Sequence, residues 1–453
     1  MNAGGPPLES LPGPAGHLRA IADDLDGGWS CVWLVPDSLV GSGDADNLLG
    51  VLESRADAVR VPAPQARRKR RTTPQPSAAP VPSADTPAWA RATLGVFDWE
   101  APRETPPETG VESTSTVAQR LWTACAGAEE PPGDPIGELA ARGHLRGQVV
   151  VLCAWEEHDP DDVGALLTRL PAFAKERGLP PGERPRLLLA ARTSDVPFRL
   201  LDHVDAVTTR VHWWWGTCGR LDTAVVAATT RRPGVRRADR GSIVRELVAD
   251  EVLVEVAGPD LALAAFLAAG WDGSLAALPA HLEAFTHEVD VDMPRDLRHV
   301  RGNPERPPAE LRPVWDAGLV DYWDGQLRIS PVANGSTPSS ANLASLVWRG
   351  QNRALTTIVD GHRARLEARV RSRASLAVLD EMSRGTAPPG QDTGERTILE
   401  LGAMAWAVQT SRVRLSAAER ELLFRLRDVR NALAHLRPLD DGELIRLAEV
   451  LSP

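Results

Sequence analysis

Six consecutive residues near the end of this 453-residue chain, Arg430-Asn431-Ala432-Leu433-Ala434-His435, bring together a guanidinium, a carboxamide and an imidazole. A guanidinium is permanently charged and grips two oxygens of a phosphate or carboxylate at once. An imidazole exchanges a proton near neutral pH. On a helix Asn431 and His435, four apart, stack on one face, whereas Arg430 and His435, five apart, are separated by roughly 140° of rotation. Arg430 and His435 therefore flank a groove rather than touch, and a substrate phosphate or a second copy of the segment fits between them. The alternative is structural: the same three side chains could form a hydrogen-bonded knot that caps the helix or mediates dimerisation.

The elements that must carry these residues are helical. Leu422, Leu426, Val429, Leu433 and Leu436 repeat at alternating spacings of four and three, the pattern of one buried helix face. Ser416 is placed to cap that helix with Glu419 as its capping-box partner, Pro438 stops it, and residues 441–451 read as a short closing helix. Further back, a long helix starts near Ser340, with Leu355, Val359, His362, Leu366 and Val370 on its buried face; His362 there reads as a packed residue. A Pro/Gly-rich loop over residues 384–394 and a helix over residues 397–409 complete an all-α bundle spanning residues 340–453. Residues 331–338, rich in Pro, Gly, Ser and Asn, mark its boundary.

With Leu426-Arg427-Asp428-Val429 before it and Leu436-Arg437-Pro438-Leu439 after it, the Arg-Asn-x-x-Ala-His run resembles the signature of the HEPN superfamily. The helix order over about residues 340–452 is similar too. The resemblance implies a metal-independent ribonuclease site in which Arg430, Asn431 and His435 are catalytic, completed by a symmetric partner domain. RNA supplies its own nucleophile, the 2′-hydroxyl, so the protein need only move protons and stabilise charge on phosphorus. The flanking Arg427 and Arg437 would contact the RNA, and neither cofactor nor metal would be required. Many members of that superfamily are non-catalytic binding modules, so a scaffold role stands beside the enzymatic one.

The other half of the chain has a different grammar. A helix over residues 17–25, a buried strand over 29–35, a helix over 46–57 and a short extended run at 59–61 suggest an α/β layer. Helices follow over residues 117–126 and 137–141. The apolar run over 148–155 then ends in Glu156, Glu157, Asp159, Asp161 and Asp162, and a helix over 162–177 leads to a second apolar run over 186–192. Uninterrupted apolar runs alternating with helices are the mark of a mostly parallel sheet covered on both faces.

In order and spacing, about residues 15–230 resemble the core of the STAND and AAA-type P-loop NTPases. A working phosphate loop of that family needs Gly-x-x-x-x-Gly-Lys-Ser/Thr after the first strand. This chain has Pro36-Asp37-Ser38-Leu39-Val40-Gly41-Ser42-Gly43-Asp44, without Lys and with acids that repel phosphate. The expectation is a degenerate NTPase-like domain that does not use ATP in the standard way. Glu156, Glu157 and Asp159 are either the remnant of a metal-holding cluster or solvated acids at a strand end.

These readings divide the chain into an NTPase-like α/β domain over residues 1–230, a helical Trp-rich connector over 231–332, and the bundle over 340–453. Within the connector, residues 243–254 suggest a helix followed by a short strand, and 261–269 a buried helix. Trp213-Trp214-Trp215 cannot share one face of a regular element, which places at least one at an inter-domain or partner surface. Trp271-Asp272-Gly273 and Trp323-Asp324-Gly325 read as Trp-anchored helix ends with a Gly stop, not as a propeller repeat.

The formal charge of −10 argues against a protein that coats nucleic acid over its whole surface, though it leaves room for a local basic site. Cys31, Cys125, Cys153 and Cys218 are scattered and read as reduced packing thiols. The apolar stretches are too short to span a bilayer, and the Gly/Pro-rich start is unlike a signal peptide, so a cytoplasmic protein without membrane contact is expected. The two family resemblances together imply a bacterial stress or phage-defence effector, an RNA-cutting toxin, dimeric through its C-terminal domain, with possible partners in a multi-protein defence system. Residues 62–87 are Pro/Ser/Ala/Thr-rich around Arg67-Arg68-Lys69-Arg70-Arg71 and read as a disordered insertion. Limited proteolysis should therefore cut first within residues 62–87; protection there, read by mass spectrometry of the first fragments, would count against that expectation.

Overall fold

The computed structural model describes residues 5–64, 115–127, 129–231, 240–285, 291, 302–332, 340–384 and 398–451. The basic run 67–71 and nearly all of the insertion expected at 62–87 lie outside them, as do most of the 331–338 boundary and of the 384–394 loop.

Helix α1 (Pro12–Asp26) buries Leu18, Ile21 and Leu25 against strand β1 (Ser30–Leu34), a stretch without a charged residue that is buried at every position. Helices α2 (Asp37–Gly41) and α3 (Asp44–Glu53) return the chain to β2 (Ala58–Arg60). After α4 (Val117–Ala126), capped by a Thr116/Gln119 capping box, and α5 (Pro135–Ala141), the chain forms β3 (Val149–Cys153). Helix α6 (Pro160–Glu176), strand β4 (Arg186–Ala191), the short α7 (Phe198–Leu201), strand β5 (Thr209–Trp213) and α8 (Arg220–Thr230) complete the layer.

The five strands lie in the order β2-β3-β4-β1-β5 and every neighbouring pair is parallel. Leu34 of β1 stands between Ala191 of β4 and Trp213 of β5, so β1 is central although it is first in sequence. Because β1 does not pair with β2, this is neither the dinucleotide-binding nor the flavodoxin arrangement. Strand β5 had no counterpart in the sequence reading. Its Thr-Arg-Val-His-Trp run sits at the sheet edge, buried only at its two ends, and lacks the continuous apolar pattern of the inner strands.

The Trp213-Trp214-Trp215 run is buried throughout, and each ring leaves toward a different neighbour. Trp213 meets Trp315 with ring centres 5.5 Å apart, Trp214 meets His17 at 5.3 Å, and the Trp215 indole N–H donates to the Asn303 carbonyl at 2.7 Å. Trp213 and Trp215 thus join the sheet to the segment that follows it, while Trp214 packs within the sheet domain.

That segment contains α9 (Arg240–Ala257), α10 (Leu261–Gly270), α11 (Leu278–Phe285), α12 (Arg312–Asp316) and an antiparallel hairpin, β6 (Val320–Trp323) with β7 (Gln326–Ile329). Two expectations are corrected here. Residues 243–254 hold no strand: α9 runs unbroken, and its near-continuous apolar stretch reflects a helix buried between α8 and α10 on one side and the C-terminal bundle on the other. Trp271-Asp272-Gly273 does end a helix, with Trp271 at the C-cap of α10. Trp323-Asp324-Gly325 does not. Asp324 at φ 50° and Gly325 at φ 81° form the two-residue turn of the hairpin, where both central residues need positive φ.

The bundle comprises α13 (Ser340–Arg373), α14 (Leu376–Arg384), α15 (Leu401–Gln409), α16 (Ala417–Ala434) and α17 (Asp441–Leu451), with α14 an addition to the sequence reading. The connector is built into it, since α9 packs along α13 and α17. Gly350 permits this packing: a Cβ there would lie 2.6 Å from Val252 Cα, so the α9 and α13 backbones touch where no side chain fits. Among the described residues no helix is long and apolar enough to cross a membrane.

The hairpin is tied to the sheet by Asp321, whose Oδ1 accepts from the Gly216 N–H at 2.8 Å and from its neighbour's, Tyr322, at 2.7 Å. Burial outweighs those two donors and pushes the Asp321 carboxyl up to about 7. The folded chain therefore holds a proton there that the unfolded chain releases near pH 4, so this group's stabilisation is fullest below about pH 4 and is lost as pH rises to about 7. Asp321→Asn keeps the accepting oxygen and removes the titration. Urea midpoints measured across that window should fall less steeply for Asp321→Asn than for the wild type, with the variant the more stable by about pH 8; parallel curves would show that Asp321 does not titrate there.

Candidate functional site

Helix α16 carries the Arg-Asn-x-x-Ala-His run, and both of its ends are fixed. At its start the Ser416 Oγ accepts from the Glu419 N–H at 3.2 Å while the Glu419 carboxylate accepts from the Ser416 N–H at 2.8 Å, the expected capping box. Arg373 of α13 adds contacts of 2.7 and 3.3 Å to the same carboxylate, and with the Ser416 donors it holds Glu419 down to about 2. Along the helix Leu423, Leu426, Val429, Ala432 and Leu433 face the core. Leu422 is half-buried.

The helix stops earlier than expected, at Ala434, with His435 as its C-cap. The Arg437 N–H reaches back to the Ala432 carbonyl at 3.0 Å and the Leu436 N–H to that of Leu433 at 3.2 Å, the paired bonds of a Schellman turn. This turn needs a left-handed residue, a place usually taken by glycine. Here Leu436 holds it at φ 57°, and its side chain, expected on the buried stripe, is 66% exposed. A leucine in that conformation stores strain of about 1–2 kcal/mol.

Two side chains of α13 grip the segment around this turn. The Trp348 indole N–H donates to the Leu433 carbonyl at 2.8 Å. The fully buried Gln351 amide accepts from the Leu439 N–H at 2.7 Å and donates to the Leu439 carbonyl at 2.8 Å. Residues 433–439 are thereby pinned on either side of His435.

Arg430, Asn431 and His435 are all exposed. Arg430 stands 3.7 Å from Glu400. Among the described residues no hydrogen bond occupies the side chains of Asn431 or His435, and the helix end is closed by backbone bonds together with the Trp348 indole. The flanking arginines are engaged within the chain: Arg427 bonds Asp428 at 2.8 Å and lies 5.1 Å over the Phe424 ring, while Arg437 pairs with both oxygens of Glu443 at 2.9 and 3.0 Å. Glu443 in turn forms a capping box with Asp440 at the start of α17. Sequence spacing did not reveal these partners. His362 is half-buried on α13, with its pKa lowered by burial and by Arg365, in keeping with a packed residue.

The acids after β3 are separated by the fold. Glu157 pairs with Arg120, Asp159 caps α6 through the Asp161 N–H, and the Asp162 carboxylate accepts from the Val117 N–H at 2.8 Å. Glu156 instead lies with Asp46 and Cys153, ligand atoms all within 4.8 Å of one another. Arg60 sits among them, 3.8 Å from each carboxylate and 3.0 Å from the Cys153 sulfur. Burial pushes that thiol up to about 12, so it stays protonated. A guanidinium thus occupies the position a cation would take. All four cysteines are free.

Where a phosphate loop would follow β1, α2 opens with Asp37, whose carboxylate lies 3.6 Å from Arg192 at the end of β4. No family model, curated protein or solved structure matches the chain.

The left-handed Leu436 generates a stability test. Leu436→Gly relieves the strain and gives up little burial, so it should raise the unfolding free energy by about 1 kcal/mol, read as a higher urea midpoint. A lower midpoint would mean that the exposed leucine makes a contact worth more than its strain.

Proposed function

We propose that the C-terminal bundle is a HEPN-type RNA-cleaving domain, and that the chain acts as a defence or stress effector whose NTPase-like N-terminal domain does not hydrolyse ATP. The observation that supports this most is that, among the described residues, the Asn431 and His435 side chains have no hydrogen-bond partner. The helix end they occupy is closed by its backbone and by the Trp348 indole, and their side chains are exposed, as is Arg430. A structural knot would instead have used those side chains to cap the turn.

In this reading the His435 imidazole moves the proton of the 2′-hydroxyl or of the leaving oxygen. The Arg430 guanidinium stabilises charge gathering on the phosphate oxygens, and Asn431, one helical turn before His435, orients the strand. A second copy of the bundle would complete the site. A non-catalytic scaffold is the other reading. It is favoured by the carboxylates beside Arg430, Arg427 and Arg437, which reduce the positive potential an RNA would meet.

His435→Ala and Arg430→Ala should each lower cleavage of single-stranded RNA by about a hundredfold or more while leaving the unfolding midpoint unchanged. Arg430→Lys should not rescue, because a point charge cannot reproduce the planar fork. Cleavage should persist in EDTA and leave a cyclic 2′,3′-phosphate. Wild-type protein that cuts no RNA, with His435→Ala unfolding the bundle, would discard the enzyme in favour of the scaffold.

A further inference from the structure

The second half of α13 is strongly basic. Between Gly361 and Arg373 it carries five arginines against the single carboxylate of Glu367. Part of that charge has internal duties: Arg363 and Arg371 bond Glu367 at 2.7 and 2.8 Å, and Arg373 bonds Glu419 of α16 at 2.7 Å. Arginines near a helix C-terminus also offset its dipole, which accounts for Arg371 and Arg373. Arg365 is explained by neither duty. It is exposed, about two turns before the helix end, and among the described residues it has no hydrogen-bond or carboxylate partner. The Arg369 side chain is 68% exposed and comes only within 3.9 Å of Glu419.

Arg365, Arg369 and Arg373 follow at four-residue steps, so they form one stripe with about 6 Å between successive side chains along the axis. The stripe ends on α16, where Glu419 meets Arg373. The next residue, Arg420, is exposed and likewise has no hydrogen-bond or carboxylate partner among the described residues. From Arg420 to His435 is about 22 Å along α16 and about 60° of rotation, so both stand on the same side of that helix, as does Asn431. Glu421 and Asp428 border this path, about 80–100° round the helix from Arg420.

We propose that this basic stripe receives the backbone of a single-stranded RNA, which runs from Arg365, Arg369 and Arg420 along the exposed side of α16 to His435. Guanidiniums grip phosphate oxygens in pairs, and phosphate contacts hold a strand in register without reading its sequence. One strand fits better than a duplex. The cations lie in a line, and a second row of phosphates, or a flat anionic lipid surface, would meet Glu421 and Asp428. The distance to His435 also sets a length, since an oligonucleotide too short to span about 22 Å cannot reach both ends of the path. That the strand ends at His435 rests on the RNA-cleaving reading of the bundle; its binding by the stripe does not.

A fluorescent 2′-O-methyl oligouridine has the charge of RNA but no nucleophile, so it reports binding apart from cleavage. On the full chain a twenty-nucleotide strand should bind saturably, and a four-nucleotide strand about tenfold more weakly or worse. Arg365→Gln, Arg369→Gln and Arg420→Gln combined should leave the unfolding midpoint unchanged and weaken the longer strand about tenfold or more. The slope of log affinity against log salt should fall by about 2, the loss of three phosphate contacts to a single strand. Should that variant not fold, the wild-type preference for strand over duplex decides. No saturable binding by the wild type, equal binding by the variant, or tighter binding of a duplex of the same length overturns the path. Loss of binding to phosphatidylserine vesicles in the variant, with RNA binding unchanged, would instead identify a lipid surface. The two readings fail separately: binding that needs the three arginines, without cleavage of ordinary RNA, keeps the path and discards the nuclease, whereas cleavage that needs His435, with equal binding by the variant, does the reverse.

Discussion

The arrangement depends on one buried carboxylate. Glu255, near the end of α9, is 2% exposed and bonds Arg220 at the start of α8, with Arg328 of the hairpin 3.7 Å away and Arg353 and Arg349 of α13 at 3.8 and 3.9 Å. Those arginines come from the sheet domain, the hairpin and the C-terminal bundle. Glu251 and Asp324 share Arg220, and Asp324 also meets Arg353 at 3.3 Å. Removing one partner from a buried ion pair typically costs about 3–5 kcal/mol, because the charge left behind stays desolvated. Here a lost carboxylate would leave several guanidiniums facing one another at the seam of three segments. The charge cluster fixes which surfaces meet, and the contact of Gly350 with Val252 sets how closely they do.

From that seam to His435 the links are continuous in space. Helix α13 carries Arg349 and Arg353 toward Glu255 and, in the same stretch, Trp348 and Gln351 toward residues 433–439. On the other side of the turn, Asp441 of α17 accepts from the Leu275 N–H at 3.0 Å, the Ser274 hydroxyl at 3.1 Å and the Ala276 N–H at 3.2 Å, tying the connector to the bundle. The turn that ends α16 is thus clamped between α13 and the connector. Such clamping explains how a leucine is kept in a left-handed conformation, since local strain persists only where the surroundings over-determine it.

What was legible in the sequence follows the range of the interactions. The Ser416/Glu419 box, helix α4 from Val117 to Ala126 and the inner strands are specified by neighbours in the chain, and the structure has them where the sequence put them. Strand β5 was not legible because an edge strand needs no continuous apolar run. Helix α9 imitates a buried strand because burial on several sides erases helical periodicity. The exposure of Arg430, Asn431 and His435, off the apolar stripe, could be read from spacing, but the left-handed Leu436 could not, since nothing local distinguishes it from another member of that stripe. Nor could the pairing of Arg437 with Glu443, which requires the chain to turn between them.

That pairing bears on which cation a phosphate would meet first. Arg430 and Glu400 are each about half exposed and 3.7 Å apart, a separation too long for a strong hydrogen bond. An exposed pair of this kind is worth about 0–1 kcal/mol, little enough for an incoming phosphate to displace. Arg437 offers no comparable opening. It is held on both oxygens of Glu443, which also serves the α17 cap, so freeing its guanidinium would loosen a helix start as well as an ion pair. Arg427 is intermediate, bonded to Asp428 and lying over Phe424. A phosphate arriving at the end of α16 would therefore engage Arg430 before either flanking arginine, within about a turn and a half of the Asn431 and His435 side chains, which have no hydrogen-bond partner among the described residues.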